Sequence, residues 1–159
     1  MIFFLHALLE GGMGIHELYR LYYNNLPIGF FDVSSVREKQ LLIVTAALLI
    51  GAAAIPALWI VVTGASRAVA KPVALGGLSY HASIAIYAAY SAINGVEPVL
   101  FVDKTFFDLL PIPQLQALSE SELKLFLNYV IGATHGLLAL AFISWLIHSP
   151  KPSTKLKKQ

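Results

Sequence analysis

Apolar residues run along this chain in four long blocks, and each is long enough to bridge oil. A hydrocarbon layer about 30 Å thick takes roughly 20 residues of helix. Residues 2–23, 40–63, 75–95 and 124–147 meet that length. The block at 40–63, QLLIVTAALLIGAAAIPALWIVVT, holds no charged residue. The block at 2–23 starts apolar and turns polar in its second half. Inside lipid every span must satisfy its own backbone, so helices follow. The pattern predicts an all-α integral membrane protein, a four-transmembrane-helix bundle with a polar intramembrane cavity. Residues 1–150 form its single domain, and residues 151–159 a basic cytosolic tail. Pro56 should kink the second helix, where it removes one backbone donor.

Composition agrees. Apolar residues make up 57% of the chain and charged ones 13%, against about 45–50% and about 25% in soluble domains. Without cysteine, thiol chemistry and disulfides are excluded. A net charge of +2 gives no reason to expect nucleic acid. Its distribution says more. Arg67 and Lys71 lie between the second and third blocks, and Lys151, Lys155, Lys157 and Lys158 follow the fourth. The 96–123 connection carries Glu97, Asp103, Asp108, Glu120 and Glu122 against Lys104. Basic residues mark the cytosolic face, which puts both termini in the cytosol; Arg37 and Lys39 fall on the opposite side. The ending KLKKQ fits a K-x-K-x-x signal for return to the endoplasmic reticulum, or a basic tail held by anionic lipid. The first residues lack the basic stretch and cleavage site of a secretory leader, so they are read as part of the fold. Ser119-x-x-Glu122 is a capping box for the fourth helix. Residues 105–118 should lie on the membrane surface, over a cavity or simply packed.

The polar residues inside the blocks carry the chemistry. A charge at the bilayer centre costs at least about 2.5–3.5 kcal/mol, so it faces the bundle interior. His6 and Glu10 share a helix face at i,i+4, and Met13, Glu17 and Arg20 continue it. Gly11, Gly12 and Gly14 would let another helix or a ligand approach. Glu17 and Arg20 should pair at the far interface and take no part in chemistry. Tyr80, Ser83, Tyr87, Ser91 and Asn94 make a second polar stripe with His81 at its edge. Asn128 and His135 share a face of the fourth block, with Gly132, Ala133 and Gly136 around them. His16 and His148 should be interfacial. The second block offers Thr45, Trp59 and an apolar wall. A membrane histidine also serves as a plain interhelical hydrogen-bond partner, and a buried carboxylate can merely fix packing.

FLHALLEG at 4–11 resembles the first core helix of the emopamil-binding-type sterol isomerases, members of the four-helix EXPERA group, with His6, Glu10 and Gly11 at its His-x-x-x-Glu-Gly positions. GAAAIPALWIVV at 51–62 is similar to that family's second core helix. The resemblance implies an endoplasmic-reticulum protein with a cavity open to sterol-like lipids, and an acid–base role for His6 and Glu10. The family's second core helix also contributes a carboxylate. Residues 40–63 have none, which points to another polycyclic or terpenoid substrate rather than a standard sterol isomerisation.

Together these readings predict an isomerase or cyclase that protonates and deprotonates a hydrophobic substrate. The catalytic candidates are Glu10, His6, His81 and His135. Trp59, Tyr80, Tyr87, Asn128 and Met13 are the candidates for holding substrate, the aromatic ones by shielding a cation. No metal or other cofactor is expected, because only His6 and Glu10 stand at ligand spacing along the chain. The expected partners are the hydrophobic substrate, membrane lipid and, as a candidate, a second copy of the chain. A sterol or lipid binder without turnover is the alternative. A haem or quinone bundle and an assembly scaffold are further classes, the last leaving Glu10 without a purpose.

Overall fold

The computed structural model describes residues 1–23, 28–29, 35–95, 101–102 and 104–149. The basic tail with Lys155 and Lys157, and Glu97 and Asp103 of the acidic connection, lie outside the described residues. Helix α1 covers Ile2–Tyr22. A continuous second helix spans Val36–Thr63 and comprises α2 (Val36–Leu48), a π-helical segment (Leu49–Ala54) and α3 (Ile55–Thr63). After a turn at Gly64, α4 covers Arg67–Asn94. Short helices α5 (Lys104–Leu109) and α6 (Pro113–Gln116) precede α7, Glu120–His148. Strands β1 (Ile28–Gly29) and β2 (Phe101–Val102) pair antiparallel, Ile28 with Val102 and Gly29 with Phe101. That pairing joins the α1–α2 and α4–α5 connections at one end.

The described protein is thus helical apart from this two-residue ladder. Two of its helices, Val36–Thr63 and Glu120–His148, are long and apolar enough to cross a membrane. Helices α1 and α4 are long as well but more polar along their length. Residues 67–74, expected in a loop, instead form the first turns of α4, with Pro72 inside them. Arg67, the first residue of α4, ties that early start to the end of α7. Its guanidinium donates to the carbonyls of Leu146, at 2.5 Å, and of Ser149, so it caps the end of α7 from the start of α4.

Local signals account for the helix ends. Ser119 and Glu122 form the expected capping box: the Glu122 N–H donates to Ser119 Oγ at 3.3 Å, and the Ser119 N–H to Glu122 Oε2 at 2.8 Å. Ser35 and Glu38 make a second one at the start of α2. The Pro56 kink takes a specific form. The Ile55 N–H bonds to the Ile50 carbonyl, a wider π turn, and so the backbone absorbs the missing donor just before the proline.

Packing follows small residues. Helix α4 lies along α7, and α1 lies along the second helix. A Cβ on Gly77 would sit 2.6 Å from the Phe142 ring, and one on Gly14 2.6 Å from Ile50 and 3.2 Å from the Ala46 carbonyl. Gly11 faces Ala54, whereas Gly12 meets nothing within 4 Å. Phe3, Ala57, Ile60, Ala70, Ala74 and Phe142 form a shared core across the two pairs. Large apolar side chains point outward on all the long helices, among them Leu8, Val62, Ile86, Ile93 and Leu140. The inside is comparatively polar: His6, Glu10, Glu17, Arg20, His81, Ser91 and Asn128 are all buried.

A methyl group at Gly77 must displace a stiff aromatic ring. Gly77→Ala should therefore destabilise the protein by about 1–3 kcal/mol, and Phe142→Leu in the same chain should recover part of the loss. Thermal unfolding of the detergent-solubilised variants measures both; an unchanged melting point in the single variant contradicts the close contact.

Candidate functional site

The polar face of α1 is buried as its spacing predicts: Phe3, His6, Glu10, Gly14, Glu17 and Arg20 are its inward residues. Glu17 and Arg20 do pair, Arg20 Nη1 donating to Glu17 Oε2 at 3.0 Å. They are enclosed by protein, however, rather than standing at an open interface. Both partners belong to α1, so the bond neutralises a buried charge pair within that helix.

The inner face of α4 differs from the expected stripe. Ala70, Ala74, Gly77, His81, Ala88 and Ser91 face inward. Ser83 and Asn94 are exposed and bond to their own helix, at the carbonyls of Ser79 and Tyr90. Small residues make up most of this face where it meets α7: a Cβ on Gly77 would strike the Phe142 ring, and Ala88 lies against Gly132. His81 is thereby moved from the stripe's edge to the centre of the bundle.

Three helices converge on it. His6 Nδ1 lies 2.8 Å from His81 Nε2, and His81 Nδ1 lies 2.7 Å from His135 Nδ1. The Tyr80 hydroxyl donates to Glu10 Oε2 at 2.9 Å, and Glu10 Oε1 stands 3.8 Å from His81 Nε2. The phenyl ring of Phe142 stacks at 5.8 Å on His81 and meets His6 edge-on at 5.4 Å. It closes one side of the cluster with carbon. Neutral imidazoles satisfy both nitrogen pairs in either of two concerted tautomer patterns, because each ring donates through one nitrogen and accepts through the other.

A cavity of about 540 Å³ opens beside the cluster. His6 and Tyr80 are its polar lining; residues 48–56 of the second helix and 72–77 of α4 supply apolar walls and both prolines. The second helix thus contributes the apolar wall that its sequence suggests. His6 Nδ1 is engaged by His81, so Nε2 is the ring nitrogen that this bond leaves over.

Of the predicted site residues, the fold brings together His6, Glu10, Tyr80, His81 and His135. It does not bring Trp59, which is 61% exposed, or Tyr87, also exposed. Met13 is half-buried on α1 and does not line the cavity. Asn128 is buried but donates to the Ala88 carbonyl at 3.2 Å, about 10 Å along α7 from His135 by helical rise; it is an interhelical tie. Residues that sequence reasoning missed are the wall formers Pro72, Gly76 and Gly77. The short spacing of Pro72 before two glycines was the available signal.

Fold and site together define a helical protein with two helices able to cross a membrane and a histidine–carboxylate centre buried among four long helices. Compared with family models, with curated proteins and with solved structures, the chain matches none.

The His6–His81 contact should register energetically. A double-mutant cycle of His6→Ala and His81→Ala should give a coupling of about 0.6–1.7 kcal/mol, the range of interhelical hydrogen bonds in membrane proteins. Unfolding equilibria in mixed micelles supply the four stabilities, and strict additivity is the result that contradicts the bond.

Proposed function

We propose that this is an integral membrane enzyme of the isomerase or cyclase type. It acts on a hydrophobic, polycyclic sterol- or terpenoid-like substrate by moving protons inside the membrane. The observation that carries this reading is the placement of His6 and Tyr80 in an otherwise apolar cavity, with Glu10 and His81 bonded or close behind them. Such a cavity suits a greasy molecule with one reacting centre. The outward apolar side chains of all four long helices support a four-span bundle, since soluble proteins rarely present so much contiguous apolar surface. The FLHALLEG and PALWIVV stretches support an EXPERA-like relationship. The basic tail supports residence in the endoplasmic reticulum with cytosolic termini.

The proton count balances within the cluster, and a carboxyl rotation at Glu10 with exchange of the His6 proton from Nε2 back to Nδ1 restores the starting state. The Tyr80 hydroxyl, which donates to Glu10 Oε2 in the resting site, first turns toward the substrate. Glu10 in its acid form then passes a proton to the Tyr80 oxygen as the Tyr80 proton moves onto one carbon of a substrate double bond. A C–H bond forms, and the neighbouring carbon becomes cationic. His6 Nε2 then takes a proton from the next carbon, and the double bond re-forms one position along. The protonated His6 gives up its Nδ1 proton to His81 Nε2, 2.8 Å away. His81 in turn returns it to Glu10 Oε1, 3.8 Å away. His135 holds the Nδ1 side of His81, so that Nε2 faces this traffic. In a cyclase the same cation is captured by a second double bond before the proton is lost.

Purified protein incubated with lipid extracted from its own host membranes should convert a polycyclic component to an isomer of equal mass, resolved by chromatography and mass spectrometry. Loss of general acid–base help costs about 100–10,000-fold, so Glu10→Gln should slow turnover by at least about 100-fold. Full turnover in that variant removes Glu10 from the reaction. Binding of the lipid without conversion in the native chain favours a non-enzymatic sterol or lipid carrier.

A further inference from the structure

The geometry points to a divalent metal site in the same cluster, with His6 Nδ1, His81 Nε2 and Glu10 Oε1 as the three protein ligands of one zinc or ferrous ion. The ligand atoms of these three buried residues lie within 4.8 Å of one another. Along the sequence only His6 and Glu10 stand at ligand spacing. The side chain of His81, reaching from α4 across to α1, supplies the third donor, which no one-dimensional motif could show.

The atoms not used as ligands strengthen the assignment. Each outer hydrogen bond occupies the ligand atom that a metal would leave over. Tyr80 donates to Glu10 Oε2, which leaves Oε1 toward His81. His135 engages His81 Nδ1, which leaves Nε2 toward His6. Metal-bound histidines and carboxylates are oriented by outer partners of this kind. A tetrahedral zinc ion with bonds of about 2.0–2.1 Å to nitrogen holds two such nitrogens roughly 3.3 Å apart. The 2.8 Å between His6 Nδ1 and His81 Nε2 must therefore widen by about half an ångström. Glu10 Oε1, 3.8 Å from His81 Nε2, must move inward by a similar amount.

Two imidazoles and one carboxylate select the ion. Calcium and magnesium favour all-oxygen cages and copper(I) favours sulfur, whereas this donor set suits zinc or iron(II) with open positions left for water or substrate. The Glu10 carboxylate also lowers the charge that the site must bury. Binding itself does not rest on the proposed reaction. What the ion would do there does: with these three atoms committed to it, the ion would replace the relay through His6, His81 and Glu10 and act as the electrophile for the same class of substrate in the cavity lined by His6 and Tyr80.

The full chain, solubilised in detergent with any affinity tag removed and stripped with a chelator, tests this by dialysis against zinc and, without oxygen, against iron(II). Elemental analysis should find one ion per chain. Cobalt(II) in the same site should show ligand-field absorption in the visible. Glu10→Gln and His81→Ala should each lose the ion, with circular dichroism verifying that the variants remain helical. Tyr80→Phe keeps all three ligands and its ring, and should weaken binding by about 10–100-fold. His148→Ala, at an exposed position, should bind as the native chain does. Substoichiometric metal in the native chain, or equal loading in Glu10→Gln and Tyr80→Phe, overturns the site. Turnover by a chain that takes up no ion also overturns it while sparing the proton cycle. One bound ion with no turnover of any host lipid leaves the site standing and defeats the proposed reaction.

Discussion

The hydrogen bonds that His81 makes to His6 and to His135 are the constraint on which the rest of the molecule depends. A buried polar nitrogen without a partner costs about 1–3 kcal/mol, and His81 is wholly buried. Its two ring nitrogens reach α1 on one side and α7 on the other. One side chain thereby fixes the rotation of three helices. Any turn of α4 that carried His81 outward would leave the nitrogens of His6 and His135 facing carbon. Glu10 and Tyr80 add a second tie between α1 and α4. Polar satisfaction inside and apolar side chains outside thus set the arrangement together.

The same constraint produces the cavity. Helices α4 and α7 pack closely through Gly77 against Phe142 and Gly132 against Ala88. Helix α1 packs closely on the second helix through Gly14 and Gly11. The two pairs meet through the histidine cluster and the shared aromatic and alanine core. Between residues 48–56 and 72–77 they stay apart. Two prolines and a π turn lie along that gap, where regular ridge-and-groove packing is interrupted. Space for a ligand therefore opens beside the most polar part of the interior. A reactive centre and an apolar recognition surface become neighbours without any long loop.

Much of this could be read from the residues in order. The i,i+4 spacing of His6 and Glu10 puts them on one face, and the cost of burying charge turns that face inward. Ser119 and Glu122 mark the start of α7 because their reciprocal bonds need only local sequence. Pro56 announces a disturbance, although not that a π turn would absorb it. The stripe through Ser83, Tyr87 and Asn94 was legible as a helix face but misleading as an interior. Serine and asparagine can bond to their own helix and remain outside, so their periodicity carries no direction. Trp59 and Tyr87 looked suited to a cation and stand on the outer surface, because an aromatic ring is as much at home against apolar surroundings as in a pocket.

What the sequence determined by itself was the helical class, the caps, the apolar lengths and the inward turn of α1, since each follows from local hydrogen bonding or from the cost of burying charge along one helix. The tertiary structure alone decided which histidines meet. His6, His81 and His135 are separated by 75 and 54 residues. Their convergence depends on how glycine and alanine faces pair α4 with α7 and α1 with the second helix, and on how the two pairs then meet; that is a property of packed surfaces rather than of any single segment.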